Sequence, residues 1–385
     1  MTMEKRIPFN KPYLTGKEMD YIKDAVYSGK ISGNGKYTHR CHALFREQYG
    51  FNKCLLTTSC TDALEMTAIR MDIKRGDEVI LPSYTFVSTA NAYALHGAKL
   101  IFTDSRTDHP GMDEDAVERL ITSNTKAIVV VHYAGMAVNM DKITDIASRH
   151  GLYVIEDAAQ AVDSYYINPK QERQPLGSIG HMGCFSFHET KNVISGEGGM
   201  LVVNDQRLEK RAEIIWEKGT NRSEFFRGEV NKYGWVDVGS SFLPTDMVAA
   251  FLYAQLEHLD EIQQKRKDLW NTDYRNLKSL NSKKFHLPNI PTHATNNGHL
   301  FYLVCRSGAI RDNLIQYLKD NQIQAVFHYL SLHKSPYYKN KYQGEALPNS
   351  DLYSERLVRL PLYNELTVEQ VNTITDLIAD FDERF

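Results

Sequence analysis

Between about residues 50 and 205, short apolar runs alternate with helical stretches, and few folds accommodate that rhythm. The runs are Lys53-Cys54-Leu55-Leu56-Thr57, Glu78-Val79-Ile80-Leu81-Pro82, Lys99-Leu100-Ile101-Phe102 and residues 127–131, 152–156, 184–187 and 200–203. Each is too short for a helix, and Gly, Pro or Asp punctuates the chain around them, as at Gly76-Asp77. A helix over 61–71 follows the first run. Near-continuous apolar runs of this kind are strands covered on both faces, so the pattern predicts an α/β fold built on a mostly parallel sheet. Ligands of such sheets gather outside the carboxyl ends of the strands.

The chain has 385 residues, more than one core comfortably organises, so two domains are expected. Residues 1–250 form the large one; residues 251–385 hold an interdomain helix and a smaller C-terminal α+β domain. A single long helix is predicted over 246–280, because Val248, Leu252, Leu256, Leu259 and Ile262 recur every three or four residues. Pro244-Thr245 precedes it, with Thr245 as its cap. A strand over 299–304 and a helix over 310–322 follow. A last helix opens on the capping box Thr367 to Gln370 and buries Val371, Ile374, Ile378 and Phe381.

Charge and cysteine usage exclude several functions. A net charge of −3 leaves no basic stripe for nucleic acid or an anionic membrane. The most apolar stretch, residues 127–131, is too short to span a bilayer. Residues 1–8 carry charges with no apolar run behind them, so no secretory signal is expected. Five cysteines without a CxxC pair argue against a disulfide framework, and the cytoplasm is the expected location. His188-Glu189 invites a zinc reading, but the second histidine of a metalloprotease helix would fall on Asn192, so no metal is expected.

Two strand ends carry the chemistry. The run Cys184-Phe185-Ser186-Phe187-His188-Glu189-Thr190 leads into Lys191, and Tyr153-Val154-Ile155-Glu156 leads into Asp157 with Gln160 close behind. Pyridoxal phosphate needs such a pair: a lysine to carry it covalently and a carboxylate to keep its ring nitrogen protonated. Its phosphate needs amide donors at a helix start, which Ser59, Cys60 and Thr61 supply after the first strand. On their own these hydroxyls read equally well as helix caps. Gly196-Glu197-Gly198-Gly199 precedes a strand and reads as a turn.

Glu156-Asp157-Ala158-Ala159-Gln160, Phe185-Ser186-Phe187-His188-Glu189-Thr190-Lys191-Asn192 and Gly196-Glu197-Gly198-Gly199 together resemble the sugar-nucleotide aminotransferases of the DegT type, over nearly the whole chain. The resemblance implies the pyridoxal-phosphate transferase fold type I, and transfer of an amino group from glutamate to a nucleotide-linked keto sugar. It makes Lys191 the catalytic lysine, Asp157 the ring-nitrogen partner and Gln160 a contact to the 3-oxygen side. Phe86 becomes the aromatic stacked on the ring, although an aromatic after a strand is more often core. Ser186 joins Ser59, Cys60 and Thr61 around the phosphate; Cys60 replaces the usual glycine. Ser241 replaces an asparagine that reaches the partner subunit's phosphate. His188, His328 and His333 fall at the sugar site. Arg222 and Arg227 read either as a diphosphate clamp or as solvated loop charges. The run Lys218-Gly219-Thr220-Asn221-Arg222-Ser223-Glu224-Phe225-Phe226-Arg227-Gly228 is similar to one branch of the family, which aminates C4 of a 4-keto-6-deoxy sugar. The family also implies a homodimer with shared active sites.

Overall fold

A computed structural model describes residues 6–280 and 282–384. The expectation about the N-terminal residues rests partly on residues 1–5, which lie outside that range. The strands in chain order are β1 (Lys53–Thr57), β2 (Glu78–Pro82), β3 (Lys99–Thr103), β4 (Thr125–Val131), β5 (Tyr153–Asp157), β6 (Tyr165–Ile167), β7 (Arg173–Pro175), β8 (Met182–Ser186), β9 (Gly199–Val203), β10 (Phe285–His286), β11 (Phe301–Cys305) and β12 (Leu357–Leu360). Seven of them form one sheet in the order β1-β9-β8-β5-β4-β2-β3. Strand β9 runs antiparallel to both neighbours, and the pairs from β8 to β3 are parallel. This is the predicted α/β architecture with a mostly parallel sheet.

The sheet explains why its strands read as unbroken apolar runs. In β4, Ile128 and Val130 pack into one core, whereas Ala127 and Val129 pack into another on the opposite face. Strand β9 divides the same way, with Met200 and Val202 on one side and Leu201 and Val203 on the other. Side chains alternate across a strand, so a strand covered on both faces needs apolar residues at every position. Each fully buried Val or Leu contributes about 1.5–3 kcal/mol relative to exposure.

The expected long helix over 246–280 is two helices, Asp246–Leu256 and Leu259–Lys278, which break at Glu257 and His258. Thr245 stands at the N-cap position, but its side chain makes no capping bond. Asp246 instead caps another element: its buried carboxylate accepts the Thr38 amide at 3.0 Å and the Tyr37 amide at 3.2 Å, at the start of the helix Lys36–Tyr49. A Cβ on Gly35 would lie 2.5 Å from that carboxylate, so this turn requires glycine. The boundary expected at residue 250 falls inside the first of the two helices.

Beyond the second helix, β10-β11-β12 form a small antiparallel sheet that packs against the helix Gly308–Asp320, and the helix Val368–Arg384 packs on that helix and on Leu259–Lys278. The capping box is present: the Thr367 amide donates to Gln370 Oε1 at 3.0 Å, and the Gln370 amide donates back to Thr367 Oγ1 at 3.2 Å. Ile7 bridges Ile323, so the N-terminal segment crosses over to this C-terminal part.

One residue of the second helix opposes stability. Asp273 is buried, and neither carboxylate oxygen has a hydrogen-bond partner among the described residues. Burial pushes its carboxyl well above the ordinary range. The folded chain then holds a proton that the unfolded chain releases, so stability falls as pH rises above the unfolded carboxyl range, by about 1.4 kcal/mol per unit until the folded value is reached. Asp273→Asn removes that proton linkage. It is expected to raise the melting temperature at pH 8 by several degrees and at pH 4 hardly at all; equal effects at both would show that Asp273 is ionised in the fold.

Candidate active site

The strands β1, β2, β4, β5 and β8 all end at one edge of the sheet, and a cavity of about 540 Å³ opens there. Its lining includes Ser59, Cys60, Thr61, Phe86, Asp157, Gln160, Ser186, His188, Lys191 and His328. Ten of the residues expected at the site are thus brought together from segments far apart in the chain.

Lys191 follows β8 in a turn closed by its own amide, which donates to the His188 carbonyl at 2.9 Å. Its side chain points into the cavity, where burial lowers its proton affinity, opposed by Cys60 and Asp157. A lysine held this way is more nearly a neutral, nucleophilic amine than one in water. Asp157 ends β5. Thr89 Oγ1 donates to its Oδ2 at 2.7 Å, and the Ala159 amide donates to its Oδ1 at 3.1 Å. Burial raises its carboxyl, and these two donors, with Lys191, pull it back.

The helix Cys60–Arg70 starts directly after β1, with Ser59 as its N-cap accepting the Asp62 amide at 3.1 Å. That bond uses the oxygen and leaves the hydroxyl proton to donate elsewhere. The first amides of the helix, at Cys60 and Thr61, are among the donors that every helix start leaves unsatisfied. Strand β9 begins hard against this corner: a Cβ on Gly199 would lie 2.3 Å from the Ser59 carbonyl carbon and 2.4 Å from the Cys60 nitrogen. Ser186 lines the same side, its Oγ accepting the His188 amide at 3.4 Å. Burial keeps Cys60 a neutral thiol.

Phe86 caps the helix Val87–Ala94 and stays 55% exposed, its ring 6.1 Å from that of Tyr329. Gln160 accepts the Ala134 amide at 2.6 Å and donates to the Tyr329 hydroxyl at 2.9 Å, which leaves one amide proton. His328 Nδ1 lies 2.6 Å from the Tyr133 hydroxyl, and burial pushes its imidazole well toward the neutral form. His188 Nδ1 accepts the Thr190 amide at 3.2 Å.

Four expected residues stand elsewhere. His333 is buried behind β2, where its Nδ1 meets Ser83 Oγ at 2.8 Å and its Nε2 faces Asp351 at 3.6 Å; it ties the C-terminal part to the sheet and does not line the cavity. Arg227 is exposed and ion-paired with Glu213 and Glu229. Arg222 is also exposed and lies over the Phe226 ring. Ser241 is exposed beside a backbone bridge to Glu217. None of these three reaches the cavity of its own chain.

Thr89, His299, Tyr329 and Arg359 also line the cavity and were not anticipated. Arg359 did leave a signal, as the one charge within the apolar strand Leu357-Val358-Arg359-Leu360. His299 Nδ1 lies 2.8 Å from Asn192 Oδ1, while Asn192 Nδ2 donates to Gln263 Oε1 and to the Asn297 carbonyl. The histidine therefore carries its proton on Nδ1. Among the described residues no group of three or more His, Cys, Asp or Glu could hold a metal ion, and no helix is long and apolar enough to cross a membrane.

The cavity fits pyridoxal phosphate on its own terms. Its lining holds a helix start with free donors, a buried carboxylate, and a lysine whose amine has no hydrogen-bond partner among the described residues. Solved structures with the same architecture include the aminotransferase TlmJ from Streptoalloteichus hindustanus, at 26% identity and TM-score 0.89, covering 98% of this chain and 99% of that one. DesV from S. venezuelae is 28% identical with TM-score 0.89 and 99% coverage of both chains. The PLP form of Spr1654 from Streptococcus pneumoniae is 25% identical with the same TM-score, again covering 99% of each chain. The DegT/DnrJ/EryC1/StrS aminotransferase family matches residues 12–379, so the chain belongs to that family of pyridoxal-phosphate-dependent sugar aminotransferases.

Proposed function

We propose that the protein moves an amino group from glutamate to C4 of dTDP-4-dehydro-6-deoxy-D-glucose, giving dTDP-4-amino-4,6-dideoxy-D-galactose. The observation that carries the choice of sugar is the run from Lys218 to Gly228, which is similar to the branch that makes this product, the dTDP-4-amino-4,6-dideoxygalactose transaminases. Bound in the cavity, pyridoxal phosphate supplies an electron sink for the carbon that gains or loses nitrogen. Lys191 carries the cofactor and, when released from it, moves a proton between the reacting carbons. Asp157 keeps the ring nitrogen protonated, Phe86 covers the ring, and Gln160 spends its remaining amide proton on the 3-oxygen. The Cys60 and Thr61 amides and the Ser59 and Ser186 hydroxyls hold the phosphate. His188 and His328 meet the sugar.

A homodimer, with Arg222, Arg227 and Ser241 reaching the partner's site, accounts for the surface of the loop that carries them. Phe226, Tyr233 and Trp235 are exposed there, Trp235 to 85%. Apolar groups clustered on one loop favour burial by a second copy, and two-fold symmetry makes the exchange reciprocal. The fold's lack of any membrane-crossing helix among the described residues suits a cytoplasmic enzyme.

Incubation with glutamate and the 4-keto sugar, followed by NMR assignment of the product, tests the reading. An axial amine at C4 is expected. An equatorial one means the gluco epimer, and an amine at C3 means the other ketone is the substrate. The thymidine form should be preferred over the uridine form by about 10- to 200-fold in kcat/KM, the worth of one methyl in an apolar pocket.

A further inference from the structure

His299 enters the cavity from the segment before β11, and its proton is placed by a chain of hydrogen bonds that ends on the backbone. The chain starts at Asn192, the residue after Lys191. Its Nδ2 donates to the Asn297 carbonyl at 3.0 Å and to Gln263 Oε1 at 2.7 Å. A carbonyl can only accept, so the Asn192 amide has one orientation, with both protons used and Oδ1 left to accept. Gln263 is fixed in the same way, since its Nε2 donates to the Val162 carbonyl at 3.1 Å. His299 Nδ1, 2.8 Å from Asn192 Oδ1, must therefore be the donor. Its backbone is held as well: the His299 amide donates to Asn297 Oδ1 at 3.0 Å, while Asn297 Nδ2 donates to the Gln160 and Val162 carbonyls, each at 2.9 Å.

Burial and the charges of Lys191, Arg266 and Arg359 push the imidazole well toward its neutral form. A neutral ring with its proton on Nδ1 carries a bare lone pair on Nε2. That nitrogen is not enclosed, makes no hydrogen bond among the described residues, and opens on the cavity that the ring lines. Lys191 is the neighbour in need of such an acceptor. At rest its amine has no hydrogen-bond partner among the described residues. Taking a proton from a substrate carbon breaks a C–H bond and forms an N–H bond, so a positive charge appears on a group withdrawn from water. An ammonium in such a place is costly unless its protons are accepted. The Asp157 carboxylate nearby is already engaged by Thr89 and Ala159.

We propose that His299 Nε2 accepts a hydrogen bond from the Lys191 ammonium formed during proton transfer, and that Asn192 is the positioning residue that turns a lone pair toward it. This rests on the reading of Lys191 as the reacting lysine and is independent of which sugar is aminated. His299 is the weaker base, so the proton stays on Lys191 until it passes to the next carbon. In the other tautomer an N–H would face the ammonium, and two donors would oppose each other.

Nitrogen-15 NMR of histidine-labelled holoenzyme reads the tautomer directly. Wild type should show His299 protonated on Nδ1 and bare on Nε2. Asn192→Leu should move the proton to Nε2, because no acceptor then faces Nδ1. The second readout is Lys191 itself in holoenzyme loaded with pyridoxamine phosphate, in which the lysine is free. Its titration follows from the pH dependence of its acylation, with the label located by peptide mapping. His299→Leu and Asn192→Leu should each lower the midpoint by about 1 pH unit or more, as loss of an acceptor from a charged donor requires. Cys60, Asp157 and Arg359, which also bear on that midpoint, are the same in both variants. Single-turnover rates should fall about 10- to 100-fold in both half-reactions, with apparent Kd values barely moved. His299→Gln offers a carbonyl oxygen in place of Nε2 and should recover part of the rate, whereas misfolding would abolish the cofactor band. Wild-type His299 protonated on Nε2 would overturn the proposal, as would an unmoved Lys191 midpoint in His299→Leu. Weaker binding of glutamate or sugar with the midpoint unmoved would also overturn it and make His299 a substrate contact. Borohydride labelling of a different lysine would defeat the reading of Lys191 alone, since the tautomer and the titration are measured without it.

Discussion

Lys191→Ala is expected to give a folded, cofactor-binding protein whose transamination is at least about a thousandfold below wild type. The fold should survive, because the Lys191 side chain makes no hydrogen bond among the described residues and the turn is closed by its backbone amide, which alanine retains. Cofactor binding should survive through the donors at Ser59, Cys60, Thr61 and Ser186 and through Asp157. What disappears is the amine proposed to hold the cofactor covalently and ferry the proton. No neighbour replaces it: His299 and His328 are pushed toward the neutral form by burial, but neither can form the covalent link. Small primary amines added to the variant should restore part of the rate, since the missing group is an amine of lowered proton affinity. In wild type, borohydride reduction should fix the cofactor to one lysine, and peptide mapping should place the label on Lys191. A label on any other lysine would refute the assignment.

The sheet was legible because strands buried on both faces carry an unmistakable apolar density, and β1 was read to the residue. The helix over 246–280 was misread for a physical reason. Leu256 and Leu259 are three residues apart, so the apolar stripe continues unbroken across Glu257 and His258, where the backbone departs from the helix. The cavity positions of Lys191 and Asp157 were legible because β5 stops at Asp157 and Lys191 follows β8 after one short turn. His333 was not, since it shares a short segment with His328, yet its ring meets Ser83 whereas the His328 ring lies in the cavity, 6.5 Å from that of Tyr84. Thr89 lies on a helix face with no pattern of its own, and its role follows from a 2.7 Å contact that joins residues far apart in sequence.

Asp157→Asn tests the electrostatic half of the site, and its expected loss is about 10²- to 10³-fold in kcat. The substitution is close to isosteric, and both existing contacts tolerate it: an amide oxygen can still accept the Ala159 amide, and an amide N–H can donate to the Thr89 hydroxyl in place of the bond it now receives. Fold and cofactor should therefore be retained. The charge is not. A carboxylate about 4 Å from a ring N–H⁺, at an effective dielectric near 20, is worth about 4 kcal/mol, or about 3 pK units on the ring nitrogen before desolvation takes its share. Without it the ring nitrogen loses its proton near neutral pH, and the ring becomes a poor electron sink. The pH profile separates this from simple damage. Acid restores the ring proton directly, so the activity of the variant should climb as pH falls, whereas wild type, whose carboxylate holds the proton throughout, should stay level over the same range. Thr89→Val removes one of the two donors that keep Asp157 ionised despite its burial, so it should let the carboxyl rise and lower activity by a far smaller factor. Near-normal kcat for Asp157→Asn in both half-reactions, with a flat profile, would mean that Asp157 serves only to hold the Ala159 amide and that the ring nitrogen is protonated by another group.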